Sequence, residues 1–117
     1  MRHQKEGKKF HRLSGDRRHF LRNLASDLIR TGKIKTTESR AKALRPLVEK
    51  MITLAKKQDL ASRRLLISRL HNQRTSKKLF EQIAPRYSER RGGYLKITKT
   101  ALTRKRDGSR WAIIEFV

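Results

Sequence analysis

Apolar residues fall into helical and alternating stretches that divide the chain into elements. Phe20, Leu24 and Leu28 recur every four positions, with Leu21, Ala25 and Ile29 beside them. A stripe of that width predicts a core-facing helix over about residues 16–31. Ser14 or Asp16 is placed to accept its first amide protons, and Gly32 to end it in a left-handed turn. Lys33-Ile34-Lys35-Thr36-Thr37 alternates and holds β-branched residues, which predicts a short strand. Thr37 or Ser39 then opens a second helix, with Ala41, Leu44, Val48, Met51, Ile52 and Ala55 on one face. Pro46 lies inside that run. Proline lacks the backbone donor and disfavours α geometry at the residue before it, so this is either a kinked helix or two helices. Asp59 is placed to cap a third helix with Ala61, Leu65, Leu66 and Leu70 inward, ending near His71-Asn72-Gln73-Arg74. Thr75 or Ser76 opens a short fourth helix through Leu79, Phe80 and Ile83, which Pro85 stops.

The segment from Arg86 to Gly93 has no period, and Gly92-Gly93 punctuates it. Tyr94-Leu95-Lys96-Ile97-Thr98 reads as a strand. Trp111 to Val117 is apolar on both faces apart from Glu115, which suits a central strand. Asp107-Gly108 between them is a hairpin signal. The strand near Ile34 then lies on the other side of the last one. The expected fold is α+β in two layers: about four helices packed on a small mixed three-stranded sheet, preceded by a basic N-terminal arm. Residues 1–13 form the arm, because Phe10 and Leu13 are its only large apolar groups beyond Met1. Residues 14–117 form a single domain, as expected for a chain of 117 residues.

Charge sharpens this picture. Lys and Arg number 32 against 10 Asp and Glu, a formal net charge of +22. Such self-repulsion does nothing for a fold, and a polyanion relieves it. Nucleic acid is the commonest such partner, since neutralising phosphates releases condensed counterions. No apolar run nears the roughly 20 residues of a membrane span, so no membrane partner is expected. Hydrophobic residues make up 35%, which leaves room for only a modest core. The chain has no cysteine, which excludes disulfides and Cys-based zinc sites and fits a reducing compartment. No apolar stretch follows Met1-Arg2-His3-Gln4-Lys5, so no secretory signal is expected, and the expected location is cytoplasmic.

No catalytic constellation assembles locally. His3, His11 and His19 lie among basic residues that would repel a metal ion, and His71 stands apart. No two carboxylates are three or four positions apart, so no local acidic dyad forms. No serine has a Gly-x-Ser-x-Gly context, and Gly92-Gly93 does not follow a strand as a phosphate loop would. The chain is therefore read as no enzyme, with no cofactor, metal or small-molecule substrate. The alternative is a small nuclease using a histidine and a carboxylate, which this arrangement disfavours. A free cationic membrane protein would show one amphipathic helix with a continuous apolar face, whereas the apolar stripes here are shared among short elements.

Three basic clusters remain. The first is the arm with Arg17, Arg18 and Arg22. The second is Arg86, Arg90 and Arg91, interleaved with Tyr87 and Tyr94. The third is the turn with Arg104, Lys105, Arg106 and Arg110. Arginine forks onto phosphate and stacks on a base plane, and tyrosine stacks on unpaired bases. That mixture suits a folded RNA better than a DNA groove, which calls for a recognition helix or a zipper.

Four stretches carry a resemblance. They are Met1-Arg2-His3, Arg22-Asn23, the run from Ala41-Lys42-Ala43-Leu44-Arg45 to Ile52-Thr53-Leu54-Ala55-Lys56, and the run from Pro85-Arg86-Tyr87 to Gly92-Gly93-Tyr94. Together they resemble the bacterial-type large-subunit ribosomal protein seventeen family over nearly the whole chain. The sequence departs from that pattern at Phe10-His11 and Asp16-Arg17. The resemblance implies a structural constituent of the large ribosomal subunit near the exit of the peptide tunnel. Its partners would be large-subunit rRNA and neighbouring ribosomal proteins. The expected rRNA-binding residues are Arg2, His3, Lys5, Lys8, Lys9 and Arg12 in the arm; Arg17, Arg18, Arg22, Arg40 and Arg45 on the helices; and Arg86, Tyr87, Arg90, Arg91, Tyr94, Arg104, Lys105 and Arg106 in the loops.

Overall fold

The structure, a computed structural model, describes residues 13–117. The arm expected over 1–13 lies outside them but for Leu13. Helix α1 spans Ser14–Thr31. It starts two residues earlier than its apolar stripe indicates, so neither Ser14 nor Asp16 is the cap. Leu13 occupies that position without a side-chain cap bond, and its carbonyl accepts from the Arg17 amide at 2.8 Å. Asp16 falls in the first turn, where a carboxylate meets the positive end of the helix dipole. Gly32 ends the helix at φ 88°, its amide donating to Leu28.

Strand β1 (Lys33–Thr37) leads directly into helix α2 (Glu38–Ala55), because the Thr37 hydroxyl accepts from the Arg40 amide at 3.3 Å. Pro46 neither splits α2 nor ends it. An internal proline costs about 3 kcal/mol. Burying Leu44, Val48, Met51 and Ile52, at about 1.5–3 kcal/mol each, outweighs that cost. Pro46 itself sits on the exposed side.

Helix α3 (Leu60–Leu70) is capped by Asp59, which accepts from the Ser62 amide at 2.7 Å. Its inward face differs from the expected one. Leu66 and Leu70 are buried, but Ala61 and Leu65 are exposed and Ser62 takes the inner position. Positions 62, 66 and 70 are one stripe, and 61 and 65 lie one residue, about 100°, away from it. Helix α4 (Gln73–Lys78) starts from Asn72, whose side chain accepts from Thr75, rather than from Thr75 or Ser76. Those two are buried inside it. The chain then widens into a π turn (Leu79–Ile83) and tightens into a 3-10 turn (Ala84–Tyr87). Pro85 therefore starts that last turn instead of stopping the chain, since its missing N–H is unneeded there.

Strands β2 (Leu95–Thr103) and β3 (Arg110–Phe116) form the hairpin, and the sheet order is β1-β3-β2. β3 is central, as its two apolar faces indicate. The α+β layering stands, but the sheet is antiparallel throughout rather than mixed. β1 and β2 run in the same direction yet never pair, because β3 lies between them and opposes both. β2 continues five residues past Thr98 with an irregular register between Lys99 and Thr103. Ala112 and Ile114 are buried in the core with Leu28, Ile29, Leu44, Ile52 and Leu66. Trp111, Ile113 and Glu115 alternate with them and are half-exposed.

Candidate nucleic-acid interface

The loop after the 3-10 turn is clamped at both ends. Tyr87 is 4% exposed and donates its phenol proton to the Val117 carbonyl at 2.8 Å. Tyr94 is 1% exposed, and its ring centroid lies 5.2 Å from that of Tyr87. The Lys56 ammonium, from the end of α2, donates to the Tyr94 oxygen at 3.0 Å and to the Arg90 carbonyl. The amide of Val117 donates to the Tyr94 carbonyl at 2.9 Å. Burial raises the Tyr87 phenol above its ordinary range. The Lys56 hydrogen bond instead lowers the Tyr94 phenol, despite desolvation. The two tyrosines are therefore not the exposed stacking faces expected of them. Their rings fill the join between α2, the loop and the sheet.

What this clamp presents is charge. Arg86, Arg90 and Arg91 are exposed around it, with Glu89 as the loop's carboxylate. Arg90 Nε donates to the Gly92 carbonyl at 3.1 Å. Gly93 is left-handed at φ 63°, a geometry that L side chains rarely adopt.

The hairpin turn makes a second display. Arg104 forks onto Asp107 at 3.2 and 2.6 Å, and the Ser109 amide donates to the same carboxylate at 3.0 Å. That amide bond, helped by Arg104, holds the Asp107 carboxyl below its ordinary range. Gly108 closes the turn at φ 68°, its amide donating to the Arg104 carbonyl. Arg104 is thus engaged in building the turn, and Lys105 and Arg106 are left exposed at its tip.

On the helices, Arg22 Nε donates to the Arg69 carbonyl at 3.1 Å, which ties α1 to the end of α3. Arg17 is half-buried and Arg18 exposed. Arg40 stacks its guanidinium 4.9 Å from the Phe20 centroid, and Arg45 pairs with Glu49 at 3.0 Å. Arg2, His3, Lys5, Lys8, Lys9 and Arg12 lie outside the described residues. The structure adds cations that clustering along the chain does not reveal. Lys33, Lys35 and Lys96 share the outer face of the sheet with Trp111, and Lys35 sits 5.3 Å from the indole centroid. The lysine alternation in β1 is a signal for this face; the Arg22–Arg69 tie, 47 residues apart, has none.

Among the described residues, six ion pairs engage five carboxylates, so most of the cations have no acidic partner there. No group of three His, Cys, Asp or Glu could hold a metal ion among these residues, and no described helix is long and apolar enough to cross a membrane. The arrangement can bind a polyanion along two hydrogen-bonded loops.

Residues 20–117 match the family model described as ribosomal protein L17. The chain belongs to the ribosomal protein L17 family. It is 52% identical over 118 residues to large ribosomal subunit protein bL17 of Persephonella marina, covering all of this chain and 95% of the relative. The same-named protein of a Sulfurihydrogenibium species is 48% identical over 117 residues, covering 100% and 97%. That of Lawsonia intracellularis is 47% identical over 116 residues, covering 99% and 92%. The resemblance read from the four stretches is thereby borne out. The run from Pro85 to Tyr94, one of those stretches, coincides with the Tyr87–Tyr94–Lys56 clamp.

Proposed function

We propose that this chain is a structural constituent of the large ribosomal subunit that binds and stabilises rRNA through its basic arm and loops. It works in the cytoplasm beside neighbouring ribosomal proteins, close to the peptide exit tunnel, and catalyses nothing. The arm is residues 1–13, and the single domain of 14–117 holds the loops. The observation that carries the reading is the clamp. Two buried tyrosines and Lys56 fix a loop whose outer surface is Arg86, Arg90 and Arg91. A loop ordered before it meets RNA loses less entropy on binding. The names of the relatives, large ribosomal subunit protein, support the same reading. Arg17, Arg18, Lys105 and Arg106 extend the contact from α1 and the hairpin tip. Arg40, Arg45 and Arg104, each held by a partner in the fold, contribute field more than direct contact. The test is a salt titration of binding to large-subunit rRNA. If about ten phosphates are neutralised, log K falls against log salt with a slope of roughly −7 to −9. A slope near zero would mean that the surplus charge does not determine binding.

A further inference from the structure

Helices α1, α2 and α3 line an open hollow that the basic loops do not share. It measures about 260 Å³ and is lined by Arg18, Leu21, Arg22, Leu47, Met51 and Arg69. Positions 18, 21 and 22 share one face of α1, and Leu47 and Met51 are one turn apart on α2. Met51 is 2% exposed, while Leu21 and Leu47 are half-buried. The lining is thus three apolar residues and three arginines, with no carboxylate among them.

We infer that this hollow receives one unpaired RNA base, with its flanking phosphate held by the arginines. The inference rests on the rRNA-binding reading above and names a site within it. Three observations favour that occupant. The volume falls just below the range of sites for drug-sized ligands, about 300–1,000 Å³, which suits a single base better than a larger ligand. The mixture of an apolar lining with several cations and no acid complements a flat ring joined to an anion. An apolar side chain of a protein neighbour would leave those charges unanswered. Finally, Arg22 is already fixed, because its Nε donates to the Arg69 carbonyl at 3.1 Å, so little rotamer freedom remains to be lost on binding. Guanidinium planes stack on bases, and the Met51 sulfur can make a favourable contact with an aromatic ring.

The experiment fills the hollow. Leu47→Trp and the conservative Leu47→Met are compared with the parent in affinity for large-subunit rRNA and in thermal midpoint. Leu47→Trp is expected to lose about tenfold in affinity, which is about 1.4 kcal/mol, and Leu47→Met to keep it. Affinity of Leu47→Trp within twofold of a parent that binds normally would overturn the pocket and leave the rRNA reading intact. A parent that does not bind rRNA would overturn both. A second measurement covers poor folding of Leu47→Trp. Photo-leucine is placed at position 47 of the full chain, the protein is assembled into the large subunit, and the adduct is weighed after irradiation. A nucleotide adduct supports the pocket, and a peptide adduct from another protein overturns it.

Discussion

At Lys56 one ammonium serves both the Arg90 carbonyl and the Tyr94 phenol, and so joins helix α2 to the arginine loop. The two tyrosines of the chain consequently ionise in opposite directions from the ordinary phenol. Ultraviolet titration is expected to show two separated phenolate steps, Tyr94 before Tyr87. Lys56→Met should move the Tyr94 step upward and leave the Tyr87 step in place; a single merged step in the parent would contradict the clamp. The linkage signs follow. The depressed Tyr94 group adds stability that is present above the ordinary phenol range and is lost as pH falls through its folded value. The raised Tyr87 group adds stability that is present below that range and is lost as pH rises through its folded value. Sequence placed both tyrosines beside arginines and RNA, but they are held by Lys56, 38 positions before Tyr94, and by Val117, 30 positions after Tyr87, which no local pattern records. The arginines keep their exposure. Replacing Arg90 and Arg91 together by Ala should weaken rRNA binding clearly while changing folding stability by no more than about 0.5 kcal/mol. Unchanged affinity would remove the loop from the contact, and a large fall in thermal midpoint would mark the pair as structural.

Elements whose ends carry a side-chain signal were the legible ones. Gly32, Thr37 and Asp59 mark boundaries by chemistry that works within three or four residues, and all three stand where that chemistry puts them. Leu13 gives no such signal, and α1 accordingly begins earlier than its apolar stripe. In α3 the neighbours Leu65 and Leu66 are equally apolar, and packing chooses the stripe through Leu66, which Leu70 continues. The π turn at Leu79–Ile83 is likewise a tertiary outcome, where the Gln58 side chain donates to the Phe80 carbonyl at 2.9 Å. The Asp59 cap provides a test at this scale. Asp59→Ala should lower the midpoint of urea unfolding at neutral pH, because the Ser62 amide loses its acceptor. The side-chain and backbone hydrogen bonds with Ser62 hold the Asp59 carboxyl below its ordinary range. Its contribution is therefore present above the ordinary carboxylate range and lost as pH falls through the lower folded value. The difference between parent and Asp59→Ala should shrink on acidification; a difference that grows would contradict the cap.

Taken whole, the molecule places a small antiparallel sheet under a helical layer and leaves most of its +22 charge without acidic partners among the described residues. Layering, strand order and the hairpin were readable, because alternation and the Asp107-Gly108 turn are local. The charge clusters of the loops were readable for the same reason. Of the outer sheet face only the Lys33–Lys35 alternation was readable, and the hollow among Arg18, Arg22 and Arg69 was not, since the fold gathers Lys96, Trp111 and those arginines from distant segments. This distribution of charge complements a polyanion. The most direct test follows the native protein in a cell extract through a sucrose gradient at moderate salt. Co-sedimentation with the large ribosomal subunit, in about equal molar amount with its other proteins, is the predicted result. Recovery at the top of the gradient, or with the small subunit alone, would contradict it.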